Sequence, residues 1–170
     1  TSAKLASGVG GKVLQVVSTT KQDTFSASIT ATGFTDVTGL SVSITPSSAS
    51  NKILILCYCT TSFDATLINR MFIQLKRGGT AIQGSLGTQV GSNRRQTITI
   101  AEQGTNAGGT FHSFNYLDSP SSTSALTYQI AIGHGQGDTR TIYVNRSSDD
   151  ADANYICRAS STITVMEIAG

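Results

Sequence analysis

Three groups of residues in this chain have the types that site chemistry uses. Asp149, Asp150 and Asp152 crowd hard oxygen ligands of the kind calcium takes. Their spacing is not that of an EF-hand loop and no matching Glu follows, so a solvated acidic loop is expected. Cys57, Cys59 and Cys157 could bind zinc as thiolates. A Cys-x-Cys with one distant partner leaves the tetrahedron incomplete, and His112 and His134 are too scattered to close it. An odd cysteine count argues against a disulfide framework. Cys57 and Cys59 share one side of a strand at a spacing that stretches disulfide geometry. Three free thiols, buried as small apolar residues, are expected, in a chain assembled in a reducing cytoplasm. His134 lies between Gly133 and Gly135, which reads as a turn before it reads as a ligand or a titrating switch. Asn145-Arg146-Ser147 is a glycosylation sequon only along a eukaryotic secretory route. No Gly-x-Ser-x-Gly elbow and no paired carboxylates are present, so the chain is not expected to be an enzyme, and no metal or cofactor is expected.

Binding chemistry has better raw material. Asn93, Arg94, Gln136, Asp138, Arg140, Asn154 and Tyr155 fall in polar loops. They combine planar hydrogen bonding with one aromatic ring, as saccharide recognition does, although Trp is absent. A net charge of +2 gives no basic face for nucleic acid. The local pair Arg94-Arg95 would point to opposite sides of a strand. The longest apolar run, Ile53 to Cys59, suits a buried strand and is too short to span a membrane.

These residues hang on an unusual frame. Charged residues make up 13% of the chain, well under the roughly 25% of an average soluble protein, and Ser and Thr take up the difference. Apolar and hydroxyl residues alternate, and no stretch sustains a helical period. Lys12–Ser18 reads as a first strand, and Thr24–Thr32 as a short edge strand or a loop. In Val37–Thr45, Leu40, Val42 and Ile44 face one way and the hydroxyls the other. Ile68–Arg77 turns Met71, Ile73 and Leu75 inward, and Gly78-Gly79 signals a hairpin. Arg94–Ile100, Thr110–Leu117, Leu126–Ile132, Thr141–Asn145 and Thr162–Ile168 follow, with Arg146–Ala159 a long polar excursion. The expected fold is all-β: a two-sheet antiparallel sandwich of about ten strands. Residues 1–11 read as a linker or shaft exit, and 12–170 as a single domain.

One strand breaks the rule of one buried face. Ile53, Ile55, Cys57 and Cys59 share one side; Leu54, Leu56 and Tyr58 share the other. Apolar residues on both sides call for a second cover, and another subunit supplies one. Val165 and Met166 make the last strand apolar on both sides as well.

Gly11–Lys21 (GKVLQVVSTTK), Phe34–Leu54 (FTDVTGLSVSITPSSASNKIL), Tyr116–Pro120, Tyr143–Ser147 and Ser160–Ile168 resemble the C-terminal domains of tail fibres or related virion proteins of tailed phages, particularly marine ones. The likeness spans nearly the whole chain, in strand and turn motifs. Such domains are similar to trimeric jelly rolls of the C1q and tumour-necrosis-factor type. The resemblance implies that Lys12–Ser18, Ile53–Thr60, Thr110–Leu117 and Thr162–Ile168 form an inner sheet facing a three-fold axis, with Leu54, Leu56, Tyr58 and Val165 at the trimer interface. It implies a virion location, assembly in the host cytoplasm, and contact with other virion proteins through the N-terminal end. The function expected is host-surface recognition, of a glycan or a protein, by the distal domain of a homotrimeric fibre. The alternatives are a capsid-decorating or trimerisation-cap protein with no receptor role, and a carbohydrate-binding module of a secreted protein.

Overall fold

Hydroxyl and apolar residues alternate at the two-residue period of a pleated strand, and the strands fall where that alternation runs. The structure, a computed structural model, describes residues 12–64, 69–103, 108–154 and 156–170. The expected linker 1–11 and the candidate Tyr155 lie outside the described residues. The elements are β1 (Val13–Lys21), β2 (Phe25–Ile29), β3 (Phe34–Ile44), β4 (Lys52–Phe63), β5 (Asn69–Arg77) and β6 (Thr80–Ala81). A 3-10 turn (Gln83–Ser85) precedes β7 (Thr99–Gln103), β8 (Thr110–Asp118), β9 (Leu126–His134), β10 (Arg140–Val144) and β11 (Ser161–Ile168).

All pairings are antiparallel, in two sheets of six and five strands. The first runs β1-β11-β4, with β8 on the far edge of β4 and β10 and then β2 continuing beside the end of β4. The second is β3-β9-β5, with β6 and β7 both pairing to β5. The first and last strands therefore lie side by side, as in a jelly roll, and the four segments expected in one sheet are together in it. Gly78 and Gly79 both take positive φ between Arg77 and Thr80, the geometry of a two-residue hairpin turn.

Between the sheets lie Ile53, Ile55, Cys57 and Cys59 of β4, Leu40, Val42 and Ile44 of β3, Met71, Ile73 and Leu75 of β5, and Tyr128, Ile130 and Ile132 of β9. Each large aliphatic side chain buried there contributes roughly 1.5–3 kcal/mol. Val165 also belongs to this core, opposite Val17 and Ile55 and fully buried. The expectation that Val165 faces a partner is thus corrected: the pleat turns its neighbour Met166 outward instead. A second correction concerns Arg94–Ile100. The strand β7 begins only at Thr99, because Thr97 Oγ1 donates to Ile73 O (2.6 Å) and accepts from Ile73 N–H (3.0 Å), taking up groups that a ladder would use.

Two buried polar clusters tie the layers at the end where β1 begins. Glu167 of β11 is 1% exposed. It accepts hydrogen bonds from Ser47 N–H (2.6 Å), Ser47 Oγ (2.8 Å), Asn51 Nδ2 (2.5 Å) and Gln15 Nε2 (2.6 Å). Asp118 of β8 accepts from Arg77 Nη1 and from Tyr128 OH (2.7 Å), bridging one sheet to the other. At the opposite end His112 is buried with Nε2 2.9 Å from Thr61 Oγ1, and its Nδ1 has no protein partner among the described residues.

These groups set the response to acid. Burial pushes His112 from 6.5 down to about 4. Burial raises the Glu167 carboxyl, but the hydrogen bonds from Asn51, Gln15 and Ser47 outweigh it and hold the group at about 2 rather than 4.5. In both cases the unfolded chain takes up the proton first, so stability falls as pH falls. The His112 contribution is lost between pH 6.5 and about 4, and the Glu167 contribution between 4.5 and about 2. Denaturant midpoints measured from pH 7 to pH 3 should decline steadily. His112→Gln should flatten the upper part of the curve. Glu167→Ala should cost roughly 3 kcal/mol at pH 7, since it leaves several donors unpaired. A Glu167→Ala protein as stable as the parent would show that the cluster contributes nothing net.

Candidate functional site: an exposed sheet face and a loop end

Partners in an antiparallel register share a face, so the pairings of the first sheet fix what its outer side presents. One row across four strands reads Val16, Met166, Leu54 and Leu117. The next reads Ser18, Thr164, Leu56 and Asn115, and the third Thr20, Thr162, Tyr58 and Ser113. Phe111 lies beyond, opposite Thr60, and stacks on Tyr58 with centroids 5.9 Å apart. Ser18 and Thr164 share a hydrogen bond of 2.8 Å, and Thr20 and Thr162 one of 3.0 Å, so the hydroxyls between the apolar rows are mutually satisfied. Val16 is 55% exposed and Phe111 67%, and Leu14, Leu56, Tyr58 and Leu117 are exposed too. Leu56 and Tyr58 lie on this face as the alternation required, and Leu54 is half-buried on it. The sequence reading missed Val16, Phe111 and Leu117. The signal for Phe111 and Leu117 was their strand partner, not their own neighbours in the chain.

The candidate loop residues gather at the end away from Lys12, but not at one point. Asn93 and Arg94 meet Gly135 in a cleft floored by Phe72 and Ile100. Asp138 and Arg140 face each other as an ion pair, 2.8 Å at Nη2 and 2.9 Å at Nε, in the next turn. That pairing holds the Asp138 carboxyl below its usual range. Gln136 N–H donates to His134 Nδ1 (3.2 Å). Asn154 stands apart, exposed, in the excursion between β10 and β11. Arg94 and Arg95 are not strand residues, so the alternation that set them on opposite sides does not apply. Both line the cleft.

The other chemistry-bearing residues are held by structure. His134 is buried with Nε2 donating to Ile29 O (2.8 Å) while Nδ1 accepts from Gln136, so both ring nitrogens pin the turn. Asp150 pairs with Arg158 (2.7 Å) and Arg146 (3.7 Å), while Asp149 and Asp152 are exposed to solvent. Asn145 is wholly buried, with Nδ2 donating to Lys21 O and Asp23 O and Oδ1 accepting from Ser161, so the sequon is inaccessible in the folded chain. The three thiols are free. Cys57 and Cys59 are core residues whose burial raises their pKa, that of Cys59 to about 11. Cys157, expected inside, is exposed, because the excursion that carries it lies outside both sheets. Native protein should therefore give one equivalent of thiol to Ellman's reagent and three after denaturation. Fewer than three after denaturation without reductant would mean a disulfide.

No family model matches the chain, and no curated protein matches it. Among solved structures it is similar to a structure of infectious bursal disease virus, Gt strain. That likeness covers 92% of this chain and 38% of the other, at 14% identity and a TM-score of 0.41. It is also similar to a mutant VP2 protein of infectious bursal disease virus in derived T=1 particles. There the coverage is 90% of this chain and 36% of the other, at 14% identity and a TM-score of 0.38. The chain thus spans little more than a third of those chains.

Proposed function

We propose that this chain is a non-catalytic virion structural protein that assembles as a homotrimer and forms the distal, host-recognising domain of a tail fibre. The observation that carries the reading is the exposed apolar face of β1, β11, β4 and β8. Monomeric proteins rarely leave so many large side chains contiguous and open to water, and such a face marks an interaction site. Covering it with copies of itself removes them from water. Burial of roughly 1,000 Å² or more per subunit would be ordinary for an obligate assembly. The three-fold stoichiometry comes from the resemblance to trimeric jelly rolls. The chain enters at the end where Lys12 O accepts from Ala169 N–H (2.9 Å), which suits attachment to a shaft there. The loops lie at the other end, which suits contact with a cell surface. Free thiols, two of them buried, favour assembly in a reducing cytoplasm over a secreted carbohydrate-binding module.

Light scattering tests the assembly: the expected mass is three times the 17.7 kDa of the chain. A stable monomer at micromolar concentration would remove the proposal. Antibody labelling of intact virions and competition of adsorption with isolated domain test the role. Labelling at fibre tips with competition is expected. Labelling without competition would favour the capsid-decorating or cap alternative.

A further inference from the structure

The outer face of the second sheet carries a feature that the assembly does not use. Phe34, Gly133, Phe72 and Ile100 lie in one row across β3, β9, β5 and β7. A side chain at Gly133 would meet the Phe34 ring at 2.9 Å, so the glycine lets the ring lie across the strand. A side chain at Gly135 would meet Phe72 Cζ at 3.0 Å. Ile100 is 53% exposed at the end of the row. Phe72 itself is buried beneath the cleft, so Ile100 supplies its open apolar surface, and Asn93, Arg94 and Arg95 stand at the edge.

The loop that brings them is held in place before any ligand arrives. Gly87 N–H donates to Thr97 O (3.2 Å) and closes it, Gln96 Nε2 donates to Gly87 O (3.0 Å), and Arg95 Nη2 donates to Ala31 O (2.5 Å) across to the neighbouring turn. Arg94 is exposed, and its guanidinium has no ion-pair or hydrogen-bond partner among the described residues. Among the described residues no acidic side chain lines the cleft, and Glu102 and Asp138 are already paired with Arg70 and Arg140. A free guanidinium in a planar fork matches a carboxylate, and the exposed Ile100 beside it gives an apolar surface for the apolar face of a sugar ring. A preformed site loses less to ordering when it binds.

We propose that the cleft between Ile100, Gly135 and the Asn93–Arg95 loop, with Phe72 beneath it, binds an acidic saccharide, its carboxylate on Arg94 and its ring against Ile100. This deepens the host-recognition reading and rests on it. The two surfaces lie on opposite faces of the sandwich, so assembly through the first sheet leaves the cleft open, and three copies would add avidity to weak single sites.

The test uses the full chain against immobilised oligosaccharides of glucuronic, galacturonic, mannuronic and sialic acids, each beside its carboxyl-reduced form, with single-stranded DNA and heparin as further polyanions. Binding to at least one acidic sugar is expected, at least tenfold weaker after carboxyl reduction. Arg94→Ala should weaken it tenfold or more, and Ile100→Ser severalfold, with the scattering mass unchanged. Absence of binding to every acidic sugar, equal binding to the reduced form, or an undiminished Arg94→Ala protein would overturn the site. Equal Arg94-dependent binding to DNA and heparin would overturn it as well, as a general anion contact. A trimeric parent protein that binds no acidic sugar condemns the cleft alone, whereas a monomeric parent protein condemns the assembly reading.

Discussion

Aspartate at Leu56 is expected to turn the assembled protein into monomers that remain folded. Leu56 sits at the middle of the exposed face, between Thr164 on one neighbouring strand and Asn115 on the other. In a free subunit the new carboxylate faces water, and a surface change of that kind shifts stability by about 0.5 kcal/mol or less. In an assembly the same carboxylate must leave water without a partner. Desolvation of an unpaired charge costs several kcal/mol, so association should weaken by roughly a thousandfold or more. Sedimentation or light scattering should show a mass near 17.7 kDa, with the far-ultraviolet circular dichroism of the parent. A Leu56→Asp protein that keeps its trimeric mass would place the interface on another surface.

Aspartate at Val165 should do something different and larger. This side chain is 0% exposed and lies between the sheets, opposite Ile55 and Val17. No cation of the described residues pairs with that position, so the carboxylate would be buried alone. The penalty reaches or exceeds about 5 kcal/mol, comparable with the whole stability of an ordinary domain. Val165→Asp should therefore be unfolded or insoluble even when dilute. Val165→Ala, which only leaves a cavity, should stay folded with a loss of about 2 kcal/mol. A folded, monomeric Val165→Asp protein would mean that β11 presents the opposite face to the core.

The contrast between these two positions marks where the sequence was legible. In Leu40–Ile44 of β3 polar residues alternate strictly with apolar ones, and in Ile73–Lys76 of β5 they do so too, so one register buries Leu40, Val42 and Ile44 or Ile73 and Leu75, with Met71 in phase. Those faces were readable to the residue. In β11 Val165 and Met166 are adjacent and both apolar, so alternation sets no phase. Only the pairing with β1 and β4 decides which one turns inward. The strand count and the partition into sheets followed from turn chemistry and from the resemblance. The loop residues were legible as a class but not as a site. Asn93 and Arg94 come beside Gly135 because β5 pairs with β9 on one edge and with β7 on the other, a fact held in long-range registers. The dissolution of the expected strand at Arg94 also had a local cause: the Thr97 hydroxyl competes for the backbone of Ile73.

The neighbouring of β1 and β11 also governs the order of events during synthesis. Ser18 meets Thr164 across 146 residues of sequence, so β1 leaves the ribosome long before its partner exists. At elongation rates of about 5–20 residues per second it waits for roughly ten seconds. Loop closure over such a span comes late, after the local hairpins of the second sheet have formed. A chain that stops before β11 lacks the strand joining β1 to β4, and with it the middle of the apolar face. Without β11 the outer side of this sheet loses Met166, Thr164 and Thr162, and with them the rows that join Val16 to Leu54 and Ser18 to Leu56.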